Sequence, residues 1–163
     1  MVRTVKDMRE KLHAGAMKQR VWSTLRRKAV FGMSEASVRK QLQTVTFCGK
    51  KVAVHKKIVA SLAAVEHDIR AHEKAHKEEA WVPDRIDCFS WRPIRGGTSL
   101  SRHAHAVALD INPRTNAYHT SYTGSASQTT DIPIRVFQAF KDHGWTLGVE
   151  WNKPLDSMHV QYC

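Results

Sequence analysis

Two groups of residues have types and spacings that suit metal chemistry. The first is 71-AHEKAH-76, where His72 and His76 stand four residues apart with Glu73 beside them. On a helix both imidazoles would share one face, and the glutamate could act as a base. The second group is spread along the chain: His103 and Asp110 in 101-SRHAHAVALD-110, then Asp156 and His159 in 156-DSMH-159. A catalytic zinc takes three protein ligands and keeps a fourth position open. The 77-KEEAWVPDR-85 that follows His72 and His76 has no H-x-x-G-x-x-H continuation, no second helix offers a glutamate at a convincing distance for a third ligand, and their helix is strongly charged. The sequence therefore assigns them to the half-exposed end of a long helix. His103, Asp110 and His159 form a complete set of two imidazoles and one carboxylate. On a strand, Asp110 would share a face with Ala106 and Ala108, small side chains that leave room for a metal. Asp156 is close enough to His159 to reach a water held there. Spacing alone makes this second set a weak signal, because His and Asp are common surface residues.

The elements that must position these groups read as follows. Val5, Met8, Leu12, Val21, Trp22 and Leu25 recur at broadly helical spacing over residues 5–29, with Gly15 as an interruption. Ser34 is an N-cap for a helix over 35–42. The stretches 44-TVTFC-48 and 52-VAVH-55 around Gly49 predict a hairpin. Ile58, Leu62, Val65 and Ile69 step by 4, 3 and 4, with His72 and His76 continuing the phase, until 81-WVP-83 ends the helix. Strands are expected at 86–91, 106–111 and 157–162. The Ser, Thr and Asn-rich 114–131 reads as a loop. Asp131 is a cap for a helix over 133–143, terminated by Gly144. The order implies an α+β fold with an antiparallel sheet and flanking helices. A basic helical segment, residues 1–43, precedes a unit over residues 44–163 that carries both candidate groups, and the two make one compact body.

With 163 residues, 42% hydrophobic and 25% charged, the chain has the composition of an ordinary globular domain. The longest apolar run, 58-IVASLAAV-65, is too short to span a bilayer. The first residues lack the apolar core of a secretory signal, so synthesis in the cytoplasm without stable membrane insertion is expected. Cys48, Cys88 and Cys163 form no C-x-x-C pair and suit a reducing compartment, with Cys48 and Cys88 as buried thiols. The net charge of +11 would attract nucleic acid, an anionic membrane or an anionic wall polymer alike.

Three segments in order, 90-SWRPI-94, 101-SRHAHAVALDINP-113 and 144-GWTLGVEWNKPLDSMHVQY-162, resemble the zinc D-alanyl-D-alanine carboxypeptidase and L-alanyl-D-glutamate endopeptidase family. Its pattern runs Y/W-R-P, S-x-H-x-x-G-x-A-x-D, a tryptophan-rich G-W stretch and D/E-x-x-H. The resemblance covers residues 45–163 and looks closest to the small bacteriophage endolysin branch. It implies a hedgehog and D,D-peptidase-like fold around Zn2+, with His103, Asp110 and His159 as metal ligands and Asp156 as the catalytic carboxylate. It further implies that Arg92 binds substrate and stabilises the oxyanion, with Ser101 in support, and that Trp145 and Trp151 wall the site. Three positions depart from the pattern. Ala106 replaces Gly, Leu147-Gly148-Val149 replaces W-G-G, and Val160-Gln161 replaces F-E. If the family's glutamate orients a ligand or the substrate amine, Gln161 keeps a hydrogen-bonding group and loses the charge. The remaining histidines, His13, His55, His67, His105, His119 and His143, are read as surface or structural.

The implied function is zinc-dependent hydrolysis of peptidoglycan stem peptides by a monomer that acts on the cell wall after release. A zinc-stabilised protein that binds the wall without cutting it is the alternative reading. Nucleic acid is a third class, since 18-KQRVWSTLRRK-28 and 35-EASVRKQL-42 loosely resemble a helix-turn-helix. No base-reading signature accompanies that charge, and a solvated basic face with no nucleic-acid partner is the expectation.

Overall fold

The computed structural model describes every residue except Met1, Gln19 and Val21. Val21, one of the apolar positions read as helical, thus lies outside the described residues. In place of one helical pattern over 5–29, the chain forms a two-residue strand, β1 (Arg3–Thr4), then α1 (Val5–Lys11) and α2 (Thr24–Phe31). Thr4 and Ser23 cap the two helices by accepting from Asp7 N and Arg26 N. The break contains Gly15, where a Cβ would overlap the Lys141 carbonyl. The chain needs a glycine there to lie against a later helix.

Ser34 begins α3 (Glu35–Arg39) with a reciprocal capping box to Ser37. The helix stops short of residue 42 because Leu42 already belongs to the hairpin, paired with His55. Strands β2 (Leu42–Phe47) and β3 (Lys50–His55) leave Cys48 and Gly49 as the turn, with φ of 48° and 83°. Positive φ at both central residues is the turn whose twist matches a hairpin. The long helix α4 (Val59–His76) buries Leu62, Val65, Ile69 and Glu73. It ends at Lys77, in the left-handed region at φ 53°, well before Pro83.

The site is carried by a four-stranded antiparallel sheet in the order β4 (Ile86–Asp87), β5 (Ala108–Ile111), β10 (His159–Gln161), β8 (Thr146–Leu147). These strands are shorter than the sequence predicts. Residues 102–105 form a 3-10 turn, and Ala106 leaves it at φ 53°. The 114–131 stretch is not wholly irregular. It contains β6 (Tyr118–His119), paired with β9 (Leu155–Asp156), and β7 (Thr129–Thr130), paired with β1.

Asp131 does not cap α5 (Ile134–Asp142), whose N-cap Pro133 offers no side-chain bond. Its carboxylate is occupied by Asn112 Nδ2, Thr115 Oγ1 and Asn116 Nδ2, which pin the loop leaving β5. Gly144 follows α5 at φ 76°, as expected of a helix stop.

The core runs through all these parts. Val5 and Met8 of α1 join Phe47 and Val54 of the hairpin, Leu62 and Ile69 of α4, and Phe137 and Phe140 of α5. Burial of each such side chain contributes about 1.5–3 kcal/mol. Trp145 sits in this core, fully buried, with its indole N–H on Ser61 Oγ at 2.9 Å. All three cysteines are free and buried, and burial pushes the Cys48 thiol up to about 12. Among the described residues no helix is long and apolar enough to cross a membrane. The whole is a mixed α+β arrangement of small antiparallel sheets and a few helices.

Candidate metal centre and its cleft

Antiparallel register sets His159 directly opposite Asp110, so the two side chains meet on one face of the sheet. His103 arrives from the 3-10 turn before β5. Ser101 Oγ accepts from His103 N at 3.3 Å, and Ser90 N donates to the His103 carbonyl at 3.1 Å. His103 Nε2 lies 3.2 Å from His159 Nδ1 and 3.2 Å from Asp110 Oδ1, and His159 Nδ1 lies 3.0 Å from the same oxygen.

The outer ring nitrogens explain which atoms turn inward. His103 Nδ1 is 2.7 Å from the Cys88 carbonyl, and His159 Nε2 is 3.0 Å from Gln161 Oε1. Both partners are acceptors, so both outer nitrogens carry hydrogen. Two ring lone pairs and a carboxylate oxygen then face one another in a buried space, an arrangement that calls for a cation or a proton. The ~2.0–2.1 Å bonds of a tetrahedral zinc set ligand atoms a little over 3 Å apart, so the donor set fits zinc. Among the described residues this is the one group of three or more potential ligands gathered closely enough to hold a metal ion.

Electrostatics agree with the geometry. Burial alone would raise the Asp110 carboxyl, yet His103 and His159, which in the absence of a metal can carry a proton on the inner nitrogen and donate it to Asp110, hold it well below the usual carboxylate range. Burial alone would pull His159 down, and Asp110, then Asp156, outweigh it and raise the imidazole.

The H-E-x-x-H helix offers no comparable centre. The buried stripe of α4 continues into Glu73, not into His72 and His76 as the sequence phase suggests. The Glu73 carboxylate accepts from Arg70 at 2.7 Å, Trp81 N at 2.8 Å and Arg135 at 3.2 Å. It is a buried structural anion with no capacity left to act as a base. His72 and His76 stack on each other at 4.0 Å, and His76 Nδ1 bonds back to the His72 carbonyl.

The His103, Asp110 and His159 cluster opens into a cleft of about 320 Å³ lined by Arg92, Arg95, Tyr118, Trp151 and Asp156 among others. The Asp156 Oδ1 atom is buried without a protein hydrogen-bond partner, and burial raises its carboxyl pKa. Such a carboxylate is disposed to accept a proton. The chain between Asp156 and His159 lies directly on Gly148. A Cβ at Gly148 would overlap the Asp156 carbonyl oxygen and come within 3.1 Å of His159 Cβ. The glycine of Leu147-Gly148-Val149 is therefore required by close approach.

Arg92 lines the cleft with its guanidinium 3.5 Å from the Pro93 carbonyl. The carboxylates nearest in sequence are engaged elsewhere, Asp84 with Arg114 and Asp87 with Arg85. Ser101 and Trp151 also reach the cleft, Trp151 packing 5.2 Å from the His159 ring. Trp145 does not wall it, for it belongs to the core. His105 is buried, its ring nitrogens lack protein partners, and burial pushes it down to about 4.

Arg95 and Tyr118 are among the liners that the sequence did not single out. Arg95 lies over the Tyr118 ring at 4.6 Å, and β6 pairing sets Tyr118 opposite Asp156. Only the proximity of Arg95 to the W-R-P segment could have drawn attention to it.

Fold and site together define a mixed α+β protein with a His, Asp, His group that can hold a metal ion. A family model described as D-alanyl-D-alanine carboxypeptidase matches residues 95–162. The matched stretch contains His103, Asp110, Asp156 and His159 and begins after Arg92. It supports a peptidase of the zinc-dependent family that the sequence motifs resemble. No curated protein and no solved structure matches the chain.

Proposed function

We propose that the protein is a zinc peptidase of D,D-peptidase-like fold that hydrolyses peptidoglycan stem peptides, as endolysin-type endopeptidases or D,D-carboxypeptidases do. The observation that carries this reading is the triangle of His103 Nε2, Asp110 Oδ1 and His159 Nδ1, with an unpartnered Asp156 beside it. Zinc, when bound by these three residues, polarises a carbonyl and acidifies water. Asp156 takes the proton of the attacking water and delivers it to the departing amine. Arg92 stabilises the negative charge that grows on the carbonyl oxygen. Ser101 holds the His103 turn, and Trp151 bounds the substrate channel beside His159. The net charge of +11 concentrates the enzyme, as a monomer, on an anionic wall after release from the cytoplasm.

The test is digestion of purified peptidoglycan with and without a chelator, with the new termini identified by mass spectrometry. New amino and carboxyl termini that vanish on chelation are expected. Asp156→Ala should retain zinc and lose roughly 10²–10⁴-fold in turnover. A zinc-loaded wild type that binds the wall and releases no termini would instead establish the non-catalytic reading.

A further inference from the structure

Of the two imidazoles in the centre, His103 is oriented by a backbone carbonyl, whereas His159 is oriented by a side chain. We propose that Gln161 is the positioning residue of the metal centre, holding His159 with Nδ1 turned inward. The inference rests on the reading of His103, Asp110 and His159 as a zinc site.

Four observations lead there. Gln161 is two residues after His159 on β10, so both project from the same face. Its Oε1 lies 3.0 Å from His159 Nε2, while its Nε2 donates to the Cys163 carbonyl at 3.3 Å. A backbone carbonyl can only accept, so this second bond fixes which way round the amide sits and presents oxygen to the imidazole. The residue is 7% exposed in the central strand, between Ala108 on one side and Thr146 on the other. Ala108, whose smallness was read as room for a metal, stands opposite Gln161 and leaves room for the amide instead.

An acceptor on the outer nitrogen locks the histidine tautomer and raises the basicity of the inner one. Loss of such a partner typically weakens metal binding about 10–100-fold. A neutral amide performs the orientation, and a carboxylate in its place would accept more strongly.

The experiment measures zinc affinity of the full chain by competition with a chromophoric chelator, for wild type, Gln161→Met and Gln161→Glu. Gln161→Met keeps the length and removes the acceptor. It should bind zinc about 10–100-fold more weakly, with metal-free melting close to wild type. Gln161→Glu should bind at least as tightly as wild type. Wild-type affinity in a folded Gln161→Met overturns the proposal. So does a Gln161→Glu that binds more weakly than wild type, a comparison that remains decisive if the methionine variant does not fold. A wild type that binds zinc without cutting peptidoglycan would sink the peptidase reading and leave this inference standing on the affinities. A wild type that takes up no zinc would sink both.

Discussion

A guanidinium that lines a cleft while its neighbouring carboxylates in sequence pair elsewhere keeps its charge available to a ligand. Arg92 is in that position, since Asp84 and Asp87 pair with Arg114 and Arg85. Lysine keeps the charge and loses the planar pair of donors that suits an oxyanion or a peptide carboxylate. Arg92→Lys should therefore lower peptidoglycan turnover on the order of 10²-fold and leave the melting temperature unchanged. A rate near wild type would remove Arg92 from the chemistry. At this scale the His, Asp, His set and Asp156 were legible through the ordered segments that resemble a known family, since spacing alone was a weak signal. Arg95 was not, because it lies in an irregular turn where no periodicity states what a side chain faces. Ala106 stands where the resembled pattern has Gly, and it precedes the strand rather than lying on it. It occupies a left-handed position at φ 53°, which explains why a glycine suits that place.

One element supports the centre, and another carries the rival motif. The turn at Gly148 supports the segment from Asp156 to His159, so a methyl group there must displace backbone. Gly148→Ala should cost about 1–3 kcal/mol of stability and weaken zinc binding, measured by melting and by chelator competition. Zinc affinity equal to wild type would show that the close approach is not needed. Helix α4 brings no residue to the group of His103, Asp110 and His159. His72→Ala with His76→Ala should leave one zinc per chain, read by elemental analysis, and loss of that zinc would move the site to α4. The apolar stripe of this helix was legible as far as Ile69. Its last turn was misread because the buried residue is Glu73, made tolerable by Arg135, 62 residues away. Hydrophobic periodicity cannot report a distant ion pair. The same limit hid the bonds that draw Asp131 away from α5.

The molecule as a whole is tied together by pairings too short and too distant for sequence patterns to reveal, such as β1 with β7. Capping and amphipathic signals gave the hairpin and the helices, whereas two-residue strands carry no alternation to read. Buried His55 belongs to this scale. Its Nε2 faces the Phe31 carbonyl and its Nδ1 accepts from Lys57 N, each at 3.1 Å, a pattern that needs the neutral ring. Burial, with the charges of Lys57 and Lys56, holds its pKa below the ordinary value. The unfolded chain takes up that proton at about pH 6.5, before the folded one does. Stability is thus fully present above about pH 6.5 and falls as the pH drops below it, by at most about 1.4 kcal/mol per pH unit. Melting from pH 8 to 5 with chelator present should show a flatter profile for His55→Gln than for wild type. Parallel profiles would mean that His55 carries none of the dependence.

Strand β10 lies in the middle of its sheet, between β5 and β8, although it is the last of the four to be synthesised. His159 follows Asp110 by 49 residues. A nascent chain emerging from the ribosome therefore presents His103 and Asp110 long before the third ligand and its strand exist. During that interval the inner edge of β5 has no neighbour and the centre cannot close on a metal. Translation order thus couples two events: the strand that brings His159 to Asp110 is also the one that fills the space between β5 and β8.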